Sequence, residues 1–142
     1  MRVSDVLRNK GNTVQTVRPD ATVRQLLAVL AEHNIGASVV SDDGETIVGI
    51  VSERDVVRQL HQRGAGLLEA TVAEIMTSDV RTSAPEEALD DLRATMTKHR
   101  IRHVPVVSEG RLAGLVSIGD VVKSTISELE TEREHLVGYI QS

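Results

Sequence analysis

Aromatic side chains are almost missing from this chain: Tyr139 is the single one, with no Trp and no Phe. That excludes the aromatic platforms on which single-stranded nucleic acids stack, and it leaves Val, Ile, Leu, Ala and Met to build the core. Cysteine is absent, which excludes disulfides, thiolate nucleophiles and Cys-ligated zinc. Positive charge is not in excess. The 16 Lys and Arg stand against 21 Asp and Glu, a net charge of −5, so no broad basic face for nucleic acid is expected. Long apolar runs are missing too. Ile47-Val48-Gly49-Ile50-Val51 falls far short of the ~20 residues of a membrane span. Met1 to Asp5 carries no apolar signal region, so the cytoplasm is the expected compartment. HExxH, a Ser-His-Asp order and a glycine-rich phosphate loop are also lacking, and no catalytic or metal-ligating set is assigned.

What the chain does have is itself, twice. Pro19-Asp20-Ala21-Thr22-Val23 aligns with Pro85-Glu86-Glu87-Ala88-Leu89, and at the same spacing His33 meets His99, Ile35 meets Ile101 and Val40 meets Val106. One residue is then lost. Gly49-Ile50-Val51-Ser52 aligns with Gly114-Leu115-Val116-Ser117, and Asp55-Val56-Val57 with Asp120-Val121-Val122. Upstream, Val3-Ser4-Asp5-Val6-Leu7 resembles Val72-Ala73-Glu74-Ile75-Met76. The expected organisation is one repeat over 1–66, a second over 67–126 and a helical tail over 127–142.

Each copy reads as β-α-β-β-α. In the first, Val14 to Val17 is a strand, and Thr22 caps a helix whose apolar positions Val23, Leu26, Leu27 and Leu30 follow a helical stripe. Asn34 and Gly36 close it. Strands are expected over 37–41 and 46–52, then a helix over 54–62 with Val56, Val57 and Leu60 inward, and Gly64 and Gly66 in the linker. The second copy predicts a strand over 80–83, a helix carrying Leu89, Leu92 and Met96, strands over 103–107 and 111–117, and a helix from Asp120. A sixty-residue unit without aromatics, disulfides or metal has a marginal core. Two such units stacked as a pseudo-twofold pair bury their open faces together. The fold class is therefore α/β, two tandem repeats with a C-terminal helix. In the tail, Ile126, Leu129, Arg133, Leu136 and Ile140 form a rough a/d stripe, free to pack in its own chain or on a second subunit.

Gly49-Ile50-Val51-Ser52-Glu53-Arg54-Asp55 and Gly114-Leu115-Val116-Ser117-Ile118-Gly119-Asp120 resemble the Gly-x-x-Ser/Thr-x-x-Asp signature of the CBS domain, and Arg102-His103-Val104-Pro105-Val106-Val107 resembles its second strand. The domain occurs as tandem pairs known as Bateman modules. The resemblance implies a non-catalytic sensor that needs no cofactor and binds AMP, ADP or ATP between its repeats. Alternatives are another adenosyl ligand, NAD or S-adenosylmethionine, or a ligand-independent interaction scaffold. It also implies a disc-like homodimer acting on a regulated protein that the sequence does not name, with no nucleic-acid or membrane partner.

The same resemblance implies the sites. One cleft takes Asn12, Thr13, Val14, Ala37 and Ser38 with Ser117 and Asp120. The other takes Ser78, Asp79, Val80, Arg102 and His103 with Ser52 and Asp55, and Arg54 as a further phosphate ligand. S-x-x-D is also a helix capping box. A carboxylate at a strand end facing a cleft can serve as well to accept bonds from the two hydroxyls of a ribose. Arg102 and His103 align with Gly36 and Ala37, so the two clefts are expected to differ.

Overall fold

The computed structural model describes residues 1–11 and 13–141. The chain runs α1 (Val3–Lys10), β1 (Thr16–Val17), α2 (Val23–His33), β2 (Ala37–Val40), β3 (Gly49–Ser52), α3 (Glu53–Arg63), a 3-10 turn (Gly64–Glu69), α4 (Val72–Ile75), α5 (Leu89–His99), β4 (His103–Ser108), β5 (Arg111–Ser117) and α6 (Ile118–Gln141). In the first repeat β1 lies parallel to β2, and β2 antiparallel to β3. In the second, β4 and β5 form an antiparallel hairpin. The α/β class and the repeat pair stand.

The expected strand over 80–83 does not form. Ser83 alone bridges Val106 in parallel, with Ser83 N–H donating to the Pro105 carbonyl and Val107 N–H to the Ser83 carbonyl, both at 2.9 Å. The next rung would need an N–H at residue 105, and proline has none. The first-repeat strand is likewise shorter than the expected 14–17. Helix starts follow the sequence closely. Thr22 accepts from Gln25 N–H at 3.1 Å while Gln25 returns a bond to Thr22 N–H at 2.9 Å, a reciprocal capping box.

Each repeat lends its leading helix to the other. Val3, Val6 and Leu7 of α1 share a core with Leu89, Leu92, Met96, Val104, Val106, Val116 and Val121 of the second repeat. Val72 and Ile75 of α4 share the core of Val17, Val23, Leu26, Leu30, Val40, Val51 and Val56 in the first. The anchoring bonds repeat as well. Val3 N–H donates to the Glu87 carbonyl at 3.0 Å, and Val72 N–H to the Ala21 carbonyl at 2.8 Å. Gly114 and Gly49 admit these helices, because a Cβ at Gly114 would stand 2.6 Å from Leu7 Cδ2 and one at Gly49 2.5 Å from Met76 Sδ. Neither half keeps its core without the other, which makes the pair the folding unit.

Two expected core positions face outward. Val57 and Leu60 are 66% and 47% exposed, since only Val56 of α3 is fully engaged inside. The tail is no separate element: α6 runs unbroken from Ile118 to Gln141, with Ile126, Leu129, Leu136 and Ile140 exposed. Among the described residues, no helix is long and apolar enough to cross a membrane.

Candidate functional site between the repeats

The helix caps place the site. Ser52 ends β3 and caps α3: Asp55 N–H donates to Ser52 Oγ at 3.3 Å, and Asp55 Oδ2 accepts from Ser52 N–H at 2.8 Å and from its hydroxyl at 3.1 Å. The cap therefore spends one carboxylate oxygen, Oδ2, and half-buries Asp55 at the mouth of a cleft. Glu53 N–H donates to the Gly36 carbonyl at 2.9 Å, which holds the start of α3 against the start of β2. Across the cleft stand the segment before the second repeat's sheet and the turn between α5 and β4.

The cleft holds about 430 Å³ and is lined from the first repeat by Gly36, Ala37, Ile50, Ser52, Glu53, Arg54, Asp55 and Arg58. From the second come Thr77, Asp79, Val80, Arg81, His99, Arg100, Ile101, Arg102 and His103. That volume suits a small organic ligand. Five arginines face three acids here in a chain that is net acidic. Among the described residues none of these five is ion-paired, whereas Arg8, Lys10, Arg18, Arg24, Arg63, Arg93 and Arg111, none of which lines the cleft, all are. Arg2, Lys98, Lys123 and Arg133 are the other basic residues without an ion pair among the described residues, so five of nine such cations line this one cleft. Two imidazoles share their field. Burial first, then Lys10, hold His103 below the usual histidine range against the opposing pull of Glu53 and Asp120. Partial burial, Arg81 and Lys98 do the same for His99. Both shifts favour the neutral ring, which offers hydrogen bonds rather than charge.

Of the residues expected in this cleft, Ser52, Arg54, Asp55, Asp79, Val80, Arg102 and His103 come together, and Ala37 of the other set joins them. Ser78 instead lines a neighbouring depression with Glu45, Thr46 and Val107. Arg58, Arg81 and Arg100 were not expected. Arg58 stands one turn after Arg54 on α3, a spacing that shares a face. Arg100 ends α5 at φ 54°. Its counterpart is Asn34 at φ 52°, a residue that tolerates the left-handed region where arginine is rare.

The second expected cleft is differently made. Ser117 N–H donates to Asp120 Oδ2 at 2.8 Å and Asp120 N–H to Ser117 Oγ at 3.1 Å, the same cap. Here, however, Lys10 Nζ donates to Asp120 Oδ2 at 2.6 Å. Partial burial disfavours the charged carboxylate, but the bonds from Lys10 and Ser117 N–H outweigh it and hold Asp120 below the usual carboxylate range. Ser38 is fully buried and its hydroxyl donates to the Gln15 carbonyl at 3.0 Å, so it presents no surface to a ligand. Thr13 is exposed and Val14 half-buried. Asn12 lies outside the described residues.

Fold and cleft together define a paired α/β repeat module with a cation-rich pocket between its halves. The sequence model of the CBS domain matches residues 3–62 and again 72–126. The chain belongs to the CBS-domain family and is a CBS-domain pair. It is 35% identical over 147 aligned residues to the CBS domain-containing protein CBSX3, mitochondrial, of Arabidopsis thaliana, covering 98% of this chain and 71% of that one. The crystal structure of the CBS-domain containing protein ATU1752 from Agrobacterium tumefaciens superposes with a TM-score of 0.85 at 42% identity, over 88% of this chain and 99% of that chain. The CBS domain pair of protein MJ0100, solved with 5′-methylthioadenosine and S-adenosyl-L-methionine, superposes with a TM-score of 0.78 at 28% identity, over 88% and 99% of the two chains.

Proposed function

We propose that this chain is a non-catalytic regulatory module of the cytoplasm that binds an adenine nucleotide in the cleft between its repeats. The carrying observation is the meeting of Asp55 with five arginines, none ion-paired among the described residues, in one pocket of about 430 Å³. Asp55 supplies the acceptor for a ribose diol. Arg54, Arg58, Arg81, Arg100 and Arg102 supply donors for phosphate, the chemistry guanidinium groups suit best. The base then lies among aliphatic side chains such as Ile50, Val80 and Ile101. A solved pair of the same fold holds adenosyl ligands, which supports an adenosine moiety. The arginines favour a phosphorylated one over a cationic sulfonium. A ligand bound by both repeats shifts their relative angle as far as it prefers one arrangement, and that is the signal handed to a regulated protein.

A thermal-shift and calorimetric series with AMP, ADP, ATP, NAD, S-adenosylmethionine and adenosine tests this. Stabilisation is expected to rise with phosphate number. Equal response to adenosine and ATP, or none to any, overturns it. Within the series, Arg102→Ala is expected to weaken ATP by roughly 10- to 150-fold, the loss of one charge-assisted bond of ~1.5–3 kcal/mol, and to leave adenosine unchanged.

The module is proposed to act as a homodimer. Val57 and Leu60 of α3 and Val122 and Ile126 of α6 are 47% to 66% exposed, and Val57 and Val122 hold matching places in the two repeats. Each is worth ~1.5–3 kcal/mol on full burial, so a second copy is their natural cover. Light scattering is expected to give a dimer, a monomer for Val57→Glu/Val122→Glu, and a dimer still after removal of residues 128–142. A monomer from the truncation alone would place the interface on the tail instead.

A further inference from the structure

The two clefts share a backbone frame, Glu53 N–H donating to the Gly36 carbonyl at 2.9 Å and Ile118 N–H to the Arg102 carbonyl at 2.8 Å, and part where Lys10 enters. Ile50 and Leu115 hold equivalent places on β3 and β5. The Ile50 carbonyl accepts from Thr77 N–H at 2.9 Å, whereas the Leu115 carbonyl accepts from Lys10 Nζ at 2.7 Å. The same ammonium reaches Asp120 at 2.6 Å across 110 residues of sequence. Asp55, the counterpart of Asp120, meets no cation among the described residues; its cap bonds to Ser52 are the whole of its engagement.

Lys10 is presented by a fixed element. It ends α1, whose Val3, Val6 and Leu7 are locked in the second repeat's core, and Gly11 at φ +93° stops the helix just beyond it. α1 has eight residues where α4 has four, and that added length carries the ammonium to β5. At the corresponding place in the second repeat, aligned on Val3 and Val72, stands Asp79, an anion in the open cleft. The contact is partly shielded, with side-chain exposures of 37% for Lys10 and 23% for Asp120.

We propose that Lys10 plugs the Asp120 cleft, so that the module takes one nucleotide per chain, at Asp55, although it carries the diol motif twice. This rests on the nucleotide reading above. A ribose diol entering at Asp120 has to compete, with uncharged hydroxyl donors, against an ammonium that is already ion-paired with the carboxylate at 2.6 Å, where donor and acceptor are both charged. It also strands the Leu115 carbonyl, which loses a partner. No such competition exists at Asp55.

Isothermal titration of the full chain with ATP decides it. One ATP per chain is expected for the unaltered protein, and one bound roughly 10- to 150-fold more weakly for Asp55→Asn. Lys10→Met is expected to bind two, with the second site weakened by a similar factor in Lys10→Met/Asp120→Asn. A readout without substitution keeps the test open should Lys10→Met fail to fold. Amine acetylation followed by mass spectrometry is expected to modify Lys10 more slowly than Lys98 and Lys123, at a rate that saturating ATP leaves unchanged. Two ATP in the unaltered protein, a folded Lys10→Met that still binds one, or release of Lys10 to acetylation by ATP overturns the plug and leaves the nucleotide reading intact. Loss of a site in Lys10→Met would make Lys10 a ligand group, which also overturns it. Absence of ATP binding in both proteins overturns the nucleotide reading, and the plug with it.

Discussion

Replacing Leu7 by alanine is expected to lower stability by about 2–5 kcal/mol, the range for truncating a buried leucine, and to loosen the second repeat before the first. Leu7 belongs to the first repeat in the chain, yet it packs with Leu89, Leu92, Met96 and Val104 of the second. It fills the space that Gly114 leaves by having no side chain. The reciprocal variant Ile75→Ala removes a residue that packs with Val23, Leu26 and Val51 of the first repeat. Urea denaturation gives the size of each loss. Hydrogen exchange gives its place: α5, β4 and β5 should lose protection in Leu7→Ala, and α2, β2 and β3 in Ile75→Ala. Loss confined to each variant's own neighbouring repeat in sequence would show that the helices are not exchanged.

That exchange marks where the sequence stops being informative. The duplication, the capping boxes at Thr22 and Ser52, and the bounds of β5 follow from local residue order, because caps and strand alternation act within a few positions. The likeness of Val3–Leu7 to Val72–Met76 is equally plain in the sequence, but nothing local says that each segment docks on the other repeat. Val57 and Leu60 satisfy a helical stripe without being covered, since a stripe records amphipathy and not which neighbour is present. The strand over 80–83 failed on its partner, Pro105, rather than on its own residues. In the site, Asp55, Arg54 and Arg102 were legible because motif and repeat alignment point to them. Arg100 had a weaker signal, an arginine where the other repeat carries Asn34. Lys10 had none: its partner lies 110 residues away, and a lysine at a helix end is ordinarily a solvated complement to the helix dipole.

Separating the two jobs of Ser52-x-x-Asp55 gives the second large effect. Ser52→Ala removes the hydroxyl that accepts from Asp55 N–H and leaves the carboxylate facing the cleft. It is expected to cost about 0.5–2 kcal/mol of stability, as for other lost helix caps, with ATP affinity close to that of the unaltered protein. Asp55→Ala loses the bond from Ser52 N–H and the diol acceptor together. A comparable stability loss should therefore be joined by a fall in ATP affinity of roughly 10- to 150-fold, equivalent to ~1.5–3 kcal/mol for a charge-assisted bond. Asp120→Ala should resemble Ser52→Ala in leaving affinity alone, because its carboxylate is held by Lys10. Thermal melts and calorimetry on the three variants separate these outcomes. If Asp55→Ala and Ser52→Ala weaken ATP equally, the motif is a helix cap and nothing more, and the adenosine must be held elsewhere in the cleft.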